Sequence, residues 1–364
     1  MLILKKILII QTAFLGDVIL TLPLVQTLKQ SMPDSEIDFI AIPQTADIVK
    51  THPDVSNVVV YDKHGKQNSL FSFFRFRKQL RSANYDIVIC PHRSLRSCLL
   101  ADATQARVII GFDNSAIQSA FTDILPWKFG MHEIERNLSL LQPLPIDGGG
   151  RIAINKELPR IFIPDEHRVK AERFLLEHHV KPPYAVIAPG TVWETKRYPV
   201  ELMAEVVRKL SSKFENIIII GGENDLDLVG DFNMLDEKVV LSIGALPIMS
   251  SAEIIKGSSL LIANDSAPIH LASAFNIPTV AIFGPTVKGF GFYPCHDRSA
   301  VVEVHGLGCR PCSIHGGHKC PIDTFDCMRR ISPDKIVEKA VELLDGTISR
   351  KGGRKGKEFS SFGP

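Results

Sequence analysis

The sequence predicts an α/β protein made of two doubly wound, mostly parallel sheets facing each other across a cleft. Three observations lead there. Strand-length apolar runs alternate with helical periodicity in both halves of the chain, which is the pattern of repeated βα units. A stretch rich in proline and glycine, residues 143–164 with Gly148, Gly149 and Gly150 in succession, separates the halves and has linker composition. Several of the apolar runs also stop abruptly at small or polar residues, as strands do at a ligand-binding edge. The predicted division is residues 1–150, residues 151–345 and a basic tail at 346–364.

In the first half, residues 6–11 read as a buried strand, 12–17 as a turn and 18–30 as a helix with apolar Ile19, Leu22, Val25 and Leu28. Pro23 is expected to kink that helix or to mark its true start. Gly16 and Asp17 then lie at a strand-to-helix turn on the ligand edge, although Asp17 taken alone reads more plainly as a helix N-cap. Further strands are expected at 37–42, 58–61, 86–90 and 107–111, with helices at 69–82 and 94–101. No Gly-x-Gly-x-x-Gly follows the first strand, which weakens a dinucleotide-binding reading. His92, Arg93 and Arg96 directly follow a strand and form a candidate anion-binding rim, with a solvated helix face as the alternative. Arg75, Arg77, Lys78 and Arg81 read instead as a solvated helix face.

The second half opens with a helix at 165–179 and a strand at 184–188 that ends in Pro189-Gly190-Thr191. Lys196 lies farther along that loop, where a cation can reach a diphosphate, although a lone lysine is ordinarily a surface residue. A helix at 199–210 and a strand at 216–220 lead to Gly221-Gly222-Glu223. The glycines leave room for close ligand approach. Glu223 suits ribose hydroxyls, or else is a first-turn acid favoured by the helix dipole.

The run from Leu260 to His270 organises the rest. It is a strand that stops at Asn264-Asp265-Ser266 and continues as a helix through Phe275. Ser266 is a natural N-cap, and Pro268 fits the first turn, where its missing N–H costs nothing. The free N–H groups and the dipole of that turn favour an anion, with Asp265 and His270 flanking it. By itself this is also what an empty capped junction looks like. Residues 279–286 tip the balance, because they read as the next strand ending in Gly284-Pro285-Thr286 beside the same crevice.

Bulk properties set limits. The 364 residues exceed one ordinary core. A net charge of +2 gives no case for nucleic acid as a partner. Seven cysteines, four of them crowded late, argue against a secreted disulfide framework. Lys5 and Lys6 interrupt the apolar start, no small-residue cleavage site follows, and no apolar run is long enough to span a bilayer. The expectation is a cytoplasmic protein. Cys309, Cys312, Cys320 and Cys327 in a loop at 305–330 are candidates for structural zinc, with free thiols or a disulfide as alternatives. The basic tail has the composition of a disordered segment that could touch an anionic membrane face.

Taken together, Leu15-Gly16-Asp17-Val18, Pro189-Gly190-Thr191 with Lys196-Arg197-Tyr198-Pro199, Gly221-Gly222-Glu223, Asn264-Asp265-Ser266 with His270, and Phe283-Gly284-Pro285-Thr286 resemble glycosyltransferase family 9. These are the ADP-heptose:lipopolysaccharide heptosyltransferases, and the likeness is strongest to the heptosyltransferase II type, whose members often carry a similar cysteine-rich segment. It covers about residues 6–344. Ala267 and Tyr198 stand where many members have glycine and tryptophan, changes the site is expected to tolerate. The resemblance implies a GT-B fold of two Rossmann-like domains and an inverting transfer that needs no cofactor or catalytic metal. It implies Asp17 as general base, with Lys196 beside the departing diphosphate. Gly190, Thr191, Glu223, Asp265, Ser266, His270, Gly284, Pro285 and Thr286 would hold an ADP-heptose donor. Gly16, His92, Arg93 and Arg96 would meet an acceptor of lipid A, Kdo and heptose. Two other readings fit the fold: a nucleotide-sugar 2-epimerase, and a non-catalytic nucleotide-sugar or nucleic-acid binding module.

Overall fold

The computed structural model describes residues 5–145, 150–233, 235 and 237–346. The first half runs β1 (Lys6–Ile10), α1 (Leu15–Ser31), β2 (Glu36–Ala41), α2 (Pro43–Lys50), β3 (Asn57–Val60), α3 (Leu70–Ser82), β4 (Ile87–Ile89), α4 (Leu95–Thr104), β5 (Val108–Phe112), β6 (Asp123–Leu125) and α5 (Glu133–Ser139). The second runs α6 (Asp165–Glu177), β7 (Tyr184–Ala188), α7 (Val200–Leu210), β8 (Asn216–Gly221), α8 (Val229–Phe232), β9 (Val239–Ile243), α9 (Ile248–Gly257), β10 (Leu260–Asn264), α10 (Ala267–Ala274), β11 (Thr279–Phe283), β12 (Ser299–Glu303), α11 (Asp326–Arg329) and α12 (Pro333–Leu344).

Each half is one six-stranded sheet. The orders are β3-β2-β1-β4-β5-β6 and β12-β11-β10-β7-β8-β9, and every pairing between named strands is parallel. Read from its own first strand, each sheet has the same order, 3-2-1-4-5-6, that of the doubly wound nucleotide-binding fold. The central strands are apolar throughout because helices cover both faces. In β1, Ile7 and Ile9 join the core on one side, while Leu8 and Ile10 join the cluster beneath α3 and α4.

Helix α1 starts at Leu15, three residues earlier than its periodicity suggests, so Gly16 and Asp17 occupy its first turn and not a preceding loop. Asp17 is therefore not the N-cap. That position is held by Phe14, whose side chain makes no capping bond. Pro23 neither begins nor ends the helix. Every residue from Val18 to Leu28 is buried, because α1 is packed between the first sheet, α5 and α10 of the opposite half. A helix enclosed on all sides is apolar all round and carries little amphipathic signal. One continuous core extends from β1 and α1 through α5 and α10 to β7 and β10, binding the halves together. Of the predicted linker glycines, Gly148 and Gly149 lie outside the described residues, as does the tail from residue 347. Among the described residues no helix is long and apolar enough to cross a membrane.

Candidate active site

In a sheet of this order, the crevice opens where strand order reverses, at the carboxyl ends of the two strands flanking the switch. In the first sheet those strands are β1 and β4, and they are followed by Gly16-Asp17 and by His92-Arg93. In the second they are β7 and β10, followed by the Gly190–Lys196 loop and by Asp265-Ser266. The two crevices meet where α1 packs on α10. Gly16 marks the contact, since a Cβ there would stand 2.9 Å from Cδ2 of His270.

Asp17 is partly open to the cleft, but its carboxyl group is surrounded by protein. Its pKa is pushed up to about 7, first by burial and then by the nearby Glu133 carboxylate; the backbone of the first helical turn and the Lys196 charge hold the rise back. Lys196 itself is paired. Its Nζ lies 2.7 Å from Asp265 Oδ2, and Thr286 Oγ1 donates to the same oxygen at 2.6 Å. Asn264 fixes the neighbouring loop, accepting from Tyr198 N at 3.1 Å and donating to Pro189 O at 2.6 Å. Tyr198 is buried, with its hydroxyl donating to Ile331 O. His270 is buried, which lowers its pKa to about 3, so it is a neutral imidazole; its Nδ1 has no hydrogen-bond partner.

Other sequence-predicted residues take different parts. Ser266 does occupy the N-cap of α10, but its hydroxyl turns back to Asn264 O at 3.3 Å and caps nothing, so the N–H groups of that turn keep no side-chain partner from it. Thr191 Oγ1 donates to Trp193 O within its own loop. Glu223 is exposed at the start of the turn after β8. The space over Gly190 is filled by Asp225, whose Oδ1 would lie 2.2 Å from a Cβ at that position, and Asp225 also accepts from Gly222 N at 2.9 Å.

Gly284, Pro285 and Thr286, just past the end of β11, are all buried. Gly284 backs onto Met328, Pro285 O accepts from Cys312 N, and Thr286 acts through Asp265. His92 is not part of a cationic rim. Burial lowers its pKa to about 4, and its Nδ1 is held 2.9 Å from both Thr12 Oγ1 and Ser97 Oγ. Structural zinc is not supported either, because all seven cysteines are free and no group of three or more His, Cys, Asp or Glu among the described residues could hold an ion.

The cysteine-rich loop is anchored by protein contacts instead. Gly317 and Thr195 exchange hydrogen bonds, Gly317 N to Thr195 Oγ1 at 2.8 Å and Thr195 N to Gly317 O at 3.0 Å. Arg310 clamps its base, donating to Thr286 O and to Glu303 Oε2. The loop thereby buttresses the segment that carries Lys196. Arg93 lies over the Trp127 ring, 4.9 Å from its centroid, and Arg96 donates to Tyr61 OH and Lys63 O.

Sequence reasoning missed the seam that joins the halves. Glu133 and Arg136 form a buried ion pair on α5, and Arg136 also donates to Met131 O at 2.7 Å and across to Phe290 O at 3.3 Å. Glu133 N donates to Gly291 O, and Asn137 Nδ2 donates to Leu20 O of α1. The only local signal was the i,i+3 spacing of an acid and an arginine.

Two doubly wound sheets with opposed switch points, one offering a carboxylate and the other an ammonium, form the architecture of a GT-B glycosyltransferase. The model of glycosyltransferase family 9 (heptosyltransferase) matches residues 73–318, and the chain belongs to that family. A lipopolysaccharide heptosyltransferase 1 of Pseudomonas aeruginosa is 26% identical, covering 93% of this chain and 98% of its own. The solved family 9 glycosyl transferase of Veillonella parvula superposes with a TM-score of 0.80 at 22% identity, covering 93% of this chain and 97% of that one. The Escherichia coli ADP-heptose lps heptosyltransferase II gives 0.74 at 18% identity, covering 94% and 99%.

Proposed function

We propose that this glycosyltransferase moves L-glycero-D-manno-heptose from ADP-heptose to a heptosyl-Kdo-lipid A acceptor in the inner core of lipopolysaccharide. The reaction inverts the anomeric centre and, as the family likeness implies, needs no catalytic metal. The observation that carries the reading is Asp17, a carboxyl group raised to about 7 and set across the cleft from Lys196. The names of the relatives, lipopolysaccharide and ADP-heptose heptosyltransferases, support the choice of substrates.

An acceptor hydroxyl attacks the anomeric carbon and gives its proton to the Asp17 carboxylate, while the bond from that carbon to the diphosphate oxygen breaks. The sugar gains oxocarbenium character at the crossing point. ADP leaves with its new charge stabilised by Lys196, by Thr191 and by the N-terminal turn of α10 at Ser266. Asp265, itself braced by Thr286, fixes the lysine. The unpartnered Nδ1 of His270 suits a sugar hydroxyl, Glu223 suits the ribose, and Gly190 lies beside the diphosphate path. Arg93 and Arg96 supply cations for an anionic acceptor, and His92 supplies a neutral hydrogen-bonding ring. In this scheme residues 1–150 hold the acceptor and residues 151–345 the donor, and the enzyme works at the cytoplasmic face of the membrane that carries its acceptor. Membership of a transferase family favours transfer over 2-epimerisation or simple binding.

Incubation with ADP-heptose and heptose-deficient core acceptors, following ADP release and product linkage, tests the reading. Asp17→Ala should abolish transfer while donor affinity stays near wild type. Near-normal turnover in that variant would remove Asp17 as the base.

A further inference from the structure

Helix α3 begins after the loop that follows β3, and so at the carboxyl edge of the first sheet, the edge that also carries His92, Arg93 and Arg96. Ser69 caps it through Ser72 N, and Phe76 and Leu80 bury its inner face. Its outer face is apolar where solvent would favour polar residues. Leu70 is 77% exposed, Phe71 76% and Phe74 59%. Leu95, which opens the neighbouring α4, is 55% exposed. Beyond the phenylalanines the same face turns cationic with exposed Arg75, Lys78 and Arg81. From Lys63 to Ser82 there are six lysines and arginines and no acidic residue. Beside the helix lies an open hollow of about 370 Å³ whose lining includes Lys66, Gln67, Ser72 and Arg75.

We propose that the amino-terminal end of α3 docks the enzyme on an anionic phospholipid bilayer, with Leu70, Phe71 and Phe74 entering the interface and Lys66, Arg75, Lys78 and Arg81 meeting headgroup phosphates. An aromatic and aliphatic turn continued by cations on one exposed helical face is what an interfacial helix presents, and contiguous exposed apolar side chains are otherwise disfavoured in water. Charge complementarity selects the occupant. Arg77 is paired with Asp102 and Lys66 stands beside Asp62, but the face stays net positive through Arg75, Lys78 and Arg81. A second copy of the chain would bring that positive face against itself, whereas an anionic lipid surface neutralises it. The docked edge is the acceptor edge, so the proposal rests on the lipid-linked acceptor for its purpose, though not for its physical basis.

Co-sedimentation of the full chain with vesicles tests it, comparing phosphatidylethanolamine containing about a quarter phosphatidylglycerol with pure phosphatidylcholine. The expected result is binding to the anionic vesicles that falls at least about tenfold in Phe71→Ser/Phe74→Ser, because each buried phenylalanine is worth roughly that factor. Arg75→Glu/Lys78→Glu should abolish the preference for anionic over zwitterionic vesicles. Both pairs are on the surface, so melting temperatures should match wild type, and transfer to a lipid-free core oligosaccharide should be unchanged in the phenylalanine variant. Wild-type vesicle binding by both variants would overturn the proposal. So would a solution dimer that the phenylalanine variant disperses without loss of vesicle binding, since that would make the face a self-contact. A wild-type enzyme that binds vesicles but transfers no heptose to any core acceptor would remove the functional reading and leave the docking surface standing.

Discussion

The His270 imidazole rests on the α-carbon of Gly16, joining the first turn of α1 to α10 immediately beside Asp17. A Cβ at Gly16 would stand 2.9 Å from Cδ2 and 3.3 Å from Nε2 of that ring. Helix propensity alone favours alanine over glycine by about 1 kcal/mol, but a buried ring with little freedom to retreat reverses the sign. Gly16→Ala is expected to cost about 1–3 kcal/mol in stability and to slow transfer on the order of a hundredfold through misplacement of Asp17. In a His270→Ala background the same change should become stabilising while activity stays low. Denaturant melts of the four proteins in this cycle decide it, and a Gly16→Ala penalty that persists without the ring would refute the contact.

The raised pKa of Asp17 links pH to both rate and stability. The base is the ionised form, so kcat/KM should climb with pH and level off above about 7. For stability the sign is opposite. The folded pKa exceeds the ordinary carboxyl value, so the contribution is full below about 4 and is lost as pH rises through about 7. Asp17→Asn lacks this loss and should be more stable than wild type at pH 8, by up to about 4 kcal/mol, with the gain vanishing near pH 4. Equal stabilities at both pH values would show that Asp17 is not held in an unfavourable environment.

Glu133 is the second cause of that rise. Glu133→Gln keeps an acceptor for Arg136 but removes the charge, so the acidic limb of the kcat/KM profile should move down by roughly half to one pH unit. The variant also leaves the buried Arg136 without its counter-ion and should lose about 3 kcal/mol of stability. A profile that does not move would mean the two carboxyl groups do not interact.

Lys196→Met should lower kcat by about a hundredfold to a thousandfold, the usual cost of losing one group aimed at developing charge. Thr286→Val removes a hydrogen bond to Asp265 without touching the cleft. It should therefore weaken activity less, by about tenfold, for a loss near 1–2 kcal/mol. Steady-state kinetics on ADP release separate the two, and a Thr286 variant as damaged as the Lys196 one would place that hydroxyl in contact with substrate.

Much of this architecture could be read from residues alone, for a physical reason. A parallel strand covered on both faces is an uninterrupted apolar run, and the limits of β7 (Tyr184–Ala188) coincide with its run. The outer strands β6, β9 and β12 escaped notice because they are only partly buried and mix polar with apolar residues. The true start of α1 was hidden because Phe14 gives no capping signal, and its length because Pro23 sits inside it. The resemblance implies Gly190 as part of a donor site, but the group over it is Asp225, thirty-five residues later in the chain, a proximity no local pattern encodes. The same holds for α5. Its seven residues are too few for clear periodicity, and Arg136 matters through Phe290 in the other half.

The same strand order serves twice here, once in each sheet. Chemical identity is thereby split between two independent sets of loops: those after β1 and β4 on one bank, those after β7 and β10 on the other. Descendants of such a scaffold can retune one bank without rebuilding its counterpart, provided that the glycine and histidine at the crossing stay matched. Diversity among such enzymes should therefore accumulate on one shore at a time.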